Sequence, residues 1–138
     1  MVHPIQPSRP RLLFVACALA TIVVGLVVAR GGFALPAAVR DKLGDALWAM
    51  MIVWLIGAVV PQKPIVGRAA LALVICWIVE LSQAYHQQFL DSVRNTAIGQ
   101  LALGSGFDVR DLGAYALGVT AALGLELATR RTVPPRLE

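Results

Sequence analysis

The chain has 138 residues, of which 58% are hydrophobic and only 14% are charged, whereas roughly 25% of residues are charged in soluble globular domains. A soluble domain of this length could not bury so much apolar surface, so the composition predicts an integral membrane protein. The net charge of +4 comes mostly from arginines near the ends of apolar runs. Nucleic acid is not expected as a partner, because the sequence shows no concentrated basic face.

Four apolar runs predict four transmembrane helices, at about residues 12–30, 43–60, 66–86 and 110–129. Each run has about 18 residues or more, which is enough to cross the hydrocarbon core of a bilayer. Helices are expected because an open sheet edge would leave backbone groups without partners in lipid. The segments GGFALP and PQKP end the first and second spans and form the first two connections. We expect the first span to be retained, because VVARGGF is a poor signal-peptide cleavage site.

The connection between the third and fourth spans has apolar residues at helical spacing, including Phe89, Val93, Ala97 and Leu101. This pattern predicts an amphipathic helix at about residues 89–103, lying at the membrane interface or folded over the bundle. The predicted fold class is therefore an all-α integral membrane protein, a four-helix transmembrane bundle with an interfacial helix between spans three and four. This domain covers residues 11–130, between an N-terminal tail at 1–10 and a C-terminal tail at 131–138.

Two rows of small side chains repeat every four residues, one in the first span and one in the fourth. Such rows allow a neighbouring helix to approach closely. They could pack within one bundle or form a dimer face, so the sequence is compatible with a monomer or a homodimer. The two cysteines are expected to be small packing residues and not a disulfide. The rows are Cys17, Thr21, Gly25 and Ala29, and Ala114, Gly118 and Ala122.

Four spans place both termini on one side of the membrane, together with the turn at 61–65. Seven lysines and arginines fall on that side and five on the other, which favours cytoplasmic termini by the positive-inside rule. The predicted location is the bacterial cytoplasmic (inner) membrane. The seven are Arg9, Arg11, Lys63, Arg68, Arg130, Arg131 and Arg136, and the five are Arg30, Arg40, Lys42, Arg94 and Arg110.

Polar side chains on three spans are predicted to meet at the outer end of the bundle. Within each span they are three or four residues apart, which places them on one helical face. With an arginine from the interfacial helix they form a candidate ligand-binding pocket. Its residues are Asp41, Asp45, Glu80, Gln83, Arg94, Asp111 and Tyr115.

Glu80 is the least expected of these residues, because an ionisable group within a span costs roughly 2.5 kcal/mol or more unless it faces protein or water. Arg94 is the predicted partner and Arg40 the second candidate. The alternatives are a structural ion pair and a pocket that binds a ligand.

Other charged residues have structural interpretations. Asp41 could cap the second helix, and either Asp108 or Asp111 could cap the fourth. Glu126 is expected to pair with Arg130 one turn later. Arg40, Lys42 and Arg110 could simply be solvated.

Several motifs resemble a family of small bacterial inner-membrane proteins of unknown function, which is similar in turn to the VanZ-like membrane proteins. The motifs are DKLGDALWA (41–49), ELSQ (80–83), Arg94 and GSGFDVRDLGAYALG (104–118). The resemblance covers about residues 11–126 and implies a role in the cell envelope. Asp45 stands where the broader family usually has His, and Tyr115 stands in an Asn position.

We expect the pocket to bind an envelope lipid or the headgroup of another amphiphile. A lipid-directed hydrolase or transferase is one alternative; its catalytic residues are unknown, and Asp45, Glu80 and Asp111 are weak candidates for metal ligands. A small proton-coupled carrier is the other. No cofactor is expected, and membrane lipid is the predicted partner.

Overall fold

A computed structural model describes residues 10–84, 91–93, 95–99 and 107–131, and throughout these residues the regular structure is helical. Four helices account for most of it, and each is long and apolar enough to cross a membrane. The prediction of an all-α protein with four candidate spans is therefore confirmed. Arg94 and most of both tails lie outside the described residues. The helices are α1 (Arg11–Ala29), α2 (Ala37–Val59), α3 (Ile65–Gln83) and α4 (Val109–Arg131).

Proline sets the start of the first three helices. Pro10, Pro36 and Pro64 each occupy the N-cap position with ψ between 138° and 145°, which is extended backbone. α2 consequently begins at Ala37, six residues before the predicted start of the span at 43. The prediction that Asp41 caps this helix is wrong, because Asp41 lies in its second turn. The charged segment 40–42 is thus part of α2.

The helices run antiparallel, so the bundle has two distinct ends. The end that carries the starts of α2 and α4 and the finish of α3 is called the loop end. The opposite end, with the start of α1 and the finish of α4, is called the termini end. α2 packs against all three other helices, whereas α1 packs principally against α2.

α1 buries one face and exposes the rest. Phe14, Ala18, Thr21 and Val28 are buried, and the Thr21 hydroxyl donates to the Cys17 carbonyl oxygen at 2.8 Å. The remaining surface is mostly leucine and valine, as expected for side chains that face lipid. Cys17 and Cys76 are both free thiols. The first half of the small-residue row in this span, Cys17 and Thr21, packs inside the bundle, whereas Gly25 is partly buried and Ala29 is exposed.

The second small-residue row holds α4 against α2. Ala114, Gly118 and Ala122 are buried, and a Cβ atom added to Gly118 would overlap the backbone carbonyl of Ala46. Only glycine allows the two backbones to come this close. This row also packs within one chain.

The connection between α3 and α4 is helical at 91–93 and at 97–99 among its described residues. Between these segments the Thr96 hydroxyl donates to the Val93 carbonyl at 2.7 Å and accepts from the Gly99 N–H at 2.9 Å. Thr96 thus ends one helical turn and begins the next. The interfacial helix at about 89–103 stays a prediction, since part of it lies outside the described residues.

A buried ion pair joins α3 to α4 at the termini end. Arg68 Nη2 lies 2.7 Å from Glu126 Oε1, and both side chains are 0% exposed. Arg130 Nη2 reaches the same oxygen at 2.7 Å, which confirms the predicted pairing one turn apart. The Arg68 guanidinium also lies 4.6 Å from the Phe14 ring centroid, a cation–π distance. Gly57 makes room for both groups, because a Cβ there would lie 2.7 Å from each of them.

We expect Gly118→Ala to destabilise the bundle by about 1–3 kcal/mol, because its methyl group would force α2 and α4 apart. Gly113→Ala is the matched control, since a Cβ at Gly113 has no other group within 4 Å. Thermal unfolding in detergent, followed by tryptophan fluorescence, measures the difference. Equal melting temperatures for the two variants would contradict the close α2–α4 contact.

Arg68→Met is expected to cost roughly 3–5 kcal/mol, because it leaves the buried Glu126 carboxylate without its partner on α3. The double variant Arg68→Met/Glu126→Leu should recover much of this loss, since no unpaired buried charge remains on either helix. Denaturation of Arg68→Met, Glu126→Leu and the double variant gives the coupling energy. Additive losses would show that the pair does not hold α3 against α4.

Candidate functional site

Polar side chains from α2, α3 and α4 meet at the loop end. They form one connected group of ion pairs and hydrogen bonds, here called the loop-end cluster. Five of its members belong to the pocket predicted from the sequence, and Lys42 and Asp108 are additions. The cluster consists of Lys42, Asp45, Glu80, Gln83, Asp108, Asp111 and Tyr115.

The carboxylate of Glu80 lies at the base of this cluster and is 0% exposed. Its Oε1 accepts the backbone N–H of Asp108 at 2.7 Å. Its Oε2 accepts the Tyr115 hydroxyl at 2.9 Å and the Gln83 amide at 3.3 Å. A buried carboxylate is tolerated when donors such as these replace its lost water. Glu80 therefore ties the last turn of α3 to the first turns of α4.

The prediction of an arginine beside Glu80 has two outcomes. Arg94 lies outside the described residues, so its pairing stays a prediction. Arg40 is not the partner, because it lines a groove beside α1. Arg40 precedes Lys42 by two residues, which puts it on roughly the opposite face of α2 at 3.6 residues per turn.

Lys42 links the carboxylates of α2 to those at the start of α4. Its ammonium donates to Asp108 Oδ2 at 3.0 Å and to Asp111 Oδ1, and it lies 3.9 Å from Asp45 Oδ2. The interpretation of Lys42 as a solvated side chain is thus wrong. Its spacing from Asp45, three residues along a helix, was the signal that could have placed it in the site.

Asp108 starts α4. Its Oδ1 accepts the backbone N–H of Arg110 at 2.9 Å, which is the bond expected of an N-cap residue. Asp111 follows in the first turn of the helix, where a negative charge also suits the helix dipole. The Arg110 N–H, and then Lys42, hold the pKa of the Asp108 carboxyl below its ordinary value. Asp108 is therefore charged at neutral pH. It is the N-cap residue of α4, which resolves the choice between Asp108 and Asp111.

The cluster is closed at its base and open at its rim. Glu80, Gln83 and Tyr115 are buried, whereas the side chains of Lys42, Asp45 and Asp108 are 35%, 30% and 44% exposed. Its described groups include four carboxyl groups and a single ammonium. Such a rim favours ligands that bring hydrogen-bond donors or positive charge. Within the described ranges, no three His, Cys, Asp or Glu side chains are arranged to hold a metal ion.

Asp41 is the predicted pocket residue that the structure places apart from the cluster. It is exposed and lines a groove of about 390 Å³ between α1 and α2. The groove reaches the cluster at Asp45, which belongs to both. The groove is lined by Gly25, Val28, Ala29, Arg40, Asp41, Gly44 and Asp45.

Tyr115→Phe is expected to destabilise the protein by about 1–3 kcal/mol, because a buried carboxylate loses one of its donors. Thr120→Val is the matched control: its hydroxyl bonds only the carbonyl one turn earlier in α4 and faces outward. Melting temperatures in detergent check the prediction. A Tyr115→Phe variant as stable as Thr120→Val would show that the hydroxyl does not support Glu80.

Comparison with known proteins gives a family but no activity. No solved structure matches the chain. A family model described as "Protein of unknown function (DUF2809)" matches residues 34–119. The matched segment contains α2, α3 and the first half of α4, and so includes every residue of the loop-end cluster. With well over half of its length matched, the chain belongs to this family of unknown function.

Proposed function

We propose that this chain is a membrane-embedded binding protein whose loop-end cluster holds the polar headgroup of a membrane amphiphile. The main support for this proposal is the difference in exposure between the base and the rim of the cluster. At the base, the buried Glu80 carboxylate of α3 is held by the Asp108 N–H and the Tyr115 hydroxyl at the start of α4. The rim is partly exposed and has an excess of carboxyl groups over cations among the described residues.

Asp45 is the rim residue best placed to accept a ligand. Among the described residues, its nearest cation is Lys42 at 3.9 Å, which is a long ion pair, whereas Lys42 lies closer to Asp108 and Asp111. The Asp45 carboxyl group also lies within hydrogen-bonding reach of the Asp111 carboxyl group, so these acidic groups share one ammonium and leave an excess of acidic groups at the rim. A primary ammonium on a headgroup would supply both hydrogen-bond donors and positive charge.

The proposed setting is the bacterial cytoplasmic membrane, with both termini in the cytoplasm and the loop end facing outward. The greater number of lysines and arginines on the termini side supports this orientation. The resemblance to VanZ-like membrane proteins supports a ligand from the cell envelope. Because the small-residue row of α4 is buried against α2 in the same chain, we propose that a single chain forms the site.

The test is lipid binding by native mass spectrometry, with purified protein offered defined lipids. Asp45→Asn removes one acidic group from the rim and leaves the Lys42 contacts to Asp108 and Asp111 in place, and it should weaken binding of amine-bearing lipids about tenfold, or roughly 1.4 kcal/mol. Asp45→Glu is the control, since it keeps the charge and should bind more tightly than Asp45→Asn.

Identical lipid binding by wild type, Asp45→Asn and Asp45→Glu would contradict the proposal. The same spectra also separate it from the enzymatic alternative. A lipid-directed hydrolase or transferase would convert the added lipid to products of different mass, whereas a binding protein returns it unchanged.

A further inference from the structure

The groove between α1 and α2 lies next to the loop-end cluster, because Asp45 belongs to both. Its volume of about 390 Å³ is within the range of roughly 300–1,000 Å³ for ligand pockets. Its two walls differ in polarity. Gly25, Val28 and Ala29 supply an apolar wall on α1, and the charged residues lie on α2.

Two glycines keep the groove open. Gly25 on α1 and Gly44 on α2 are both partly buried, yet a Cβ added to either would have no other group within 4 Å. They differ in this from Gly118 and Gly57, where a Cβ would clash with a neighbouring helix. The space beside Gly25 and Gly44 is thus not taken up by helix packing.

The described lining of the groove carries one guanidinium, on Arg40, and two carboxyl groups, on Asp41 and Asp45, so it suits a ligand that has both a phosphate and an ammonium. Arg40 is partly buried, and the described residues provide no ion pair to its guanidinium. Asp45, five residues further along the same helix, is partly exposed and shares the single Lys42 ammonium with Asp108 and Asp111. A phosphate and an ammonium separated by a short linker would satisfy one group each, since arginine binds phosphate oxygens and a carboxylate binds an ammonium.

We propose that the groove binds a phospholipid whose headgroup carries a primary ammonium, with phosphate on Arg40, ammonium on Asp45 and an acyl chain beside Gly25 and Gly44. This inference rests on the proposed function and names the class of amphiphile. It also predicts selectivity. Phosphatidylethanolamine brings both N–H donors and positive charge to Asp45, phosphatidylcholine has a positive charge without donors, and phosphatidylglycerol has hydroxyl donors without a positive charge.

The binding order should therefore be phosphatidylethanolamine, then phosphatidylcholine, then phosphatidylglycerol, with about tenfold between the first and the last. Gly25→Leu and Gly44→Leu fill the groove without a clash at Cβ, and leucine favours a helix more than glycine does. Both should reduce phosphatidylethanolamine binding about tenfold. Gly124→Leu is the matched control, because Gly124 is exposed on α4 with open space around it.

Arginine variants test the phosphate contact. Arg40→Gln should weaken binding of all three lipids, because each carries a phosphate. Arg110→Gln should not, since Arg110 is exposed at the start of α4 and does not line the groove. Melting temperatures measured alongside separate loss of binding from loss of fold.

A soluble headgroup distinguishes failure of this inference from failure of the proposed function. Glycerophosphoethanolamine has no acyl chain and so does not depend on the apolar wall. Binding of this headgroup to wild type but not to Asp45→Asn would show that the cluster is a headgroup site. If Gly25→Leu and Gly44→Leu at the same time keep full affinity for phosphatidylethanolamine, the groove does not bind the acyl chain and only the further inference fails. If neither the headgroup nor the lipid responds to Asp45→Asn, both proposals are overturned.

Discussion

The position of Glu80 is the constraint on which the rest of the structure depends. A carboxylate inside a helical bundle requires hydrogen-bond donors from the protein, because the lipid cannot supply them. Besides the Gln83 amide on its own helix, Glu80 has two donors among the described residues, the backbone N–H of Asp108 and the hydroxyl of Tyr115. Both belong to the start of α4, so burying Glu80 fixes where α4 begins and how it is rotated. Lys42 then brings α2 to the same point through Asp108 and Asp111.

The two ends of the bundle use ionic contacts for different purposes. At the termini end the Arg68–Glu126 pair is fully buried and covered by Phe14 from α1. A closed pair of this kind joins helices but offers nothing to a ligand. At the loop end the ammonium and two of its carboxylate partners remain partly exposed. The same interaction type therefore gives a structural contact at one end and an accessible site at the other.

Local patterns in the sequence were enough to predict the spans and much of the candidate site. Glu80 with Gln83, and Asp111 with Tyr115, lie on single helical faces, so their spacing alone aligned them. Arg68 and Glu126 could not be paired in this way, because 58 residues separate them and their contact depends on how α3 packs on α4. The start of α2 was predicted too late for a related reason. The charged residues at 40–42 resemble a loop when the contacts of Lys42 with Asp108 and Asp111, which are distant in sequence, are not known.

The most direct test is a crystal structure of the wild-type protein grown in a lipidic mesophase that contains phosphatidylethanolamine. The proposed headgroup site predicts lipid density between α1 and α2, with the lipid phosphate within hydrogen-bonding distance of Arg40 and its ammonium beside the Asp45 carboxyl group. A groove closed by direct contact of α1 with α2, and a loop-end cluster without a headgroup, would contradict it.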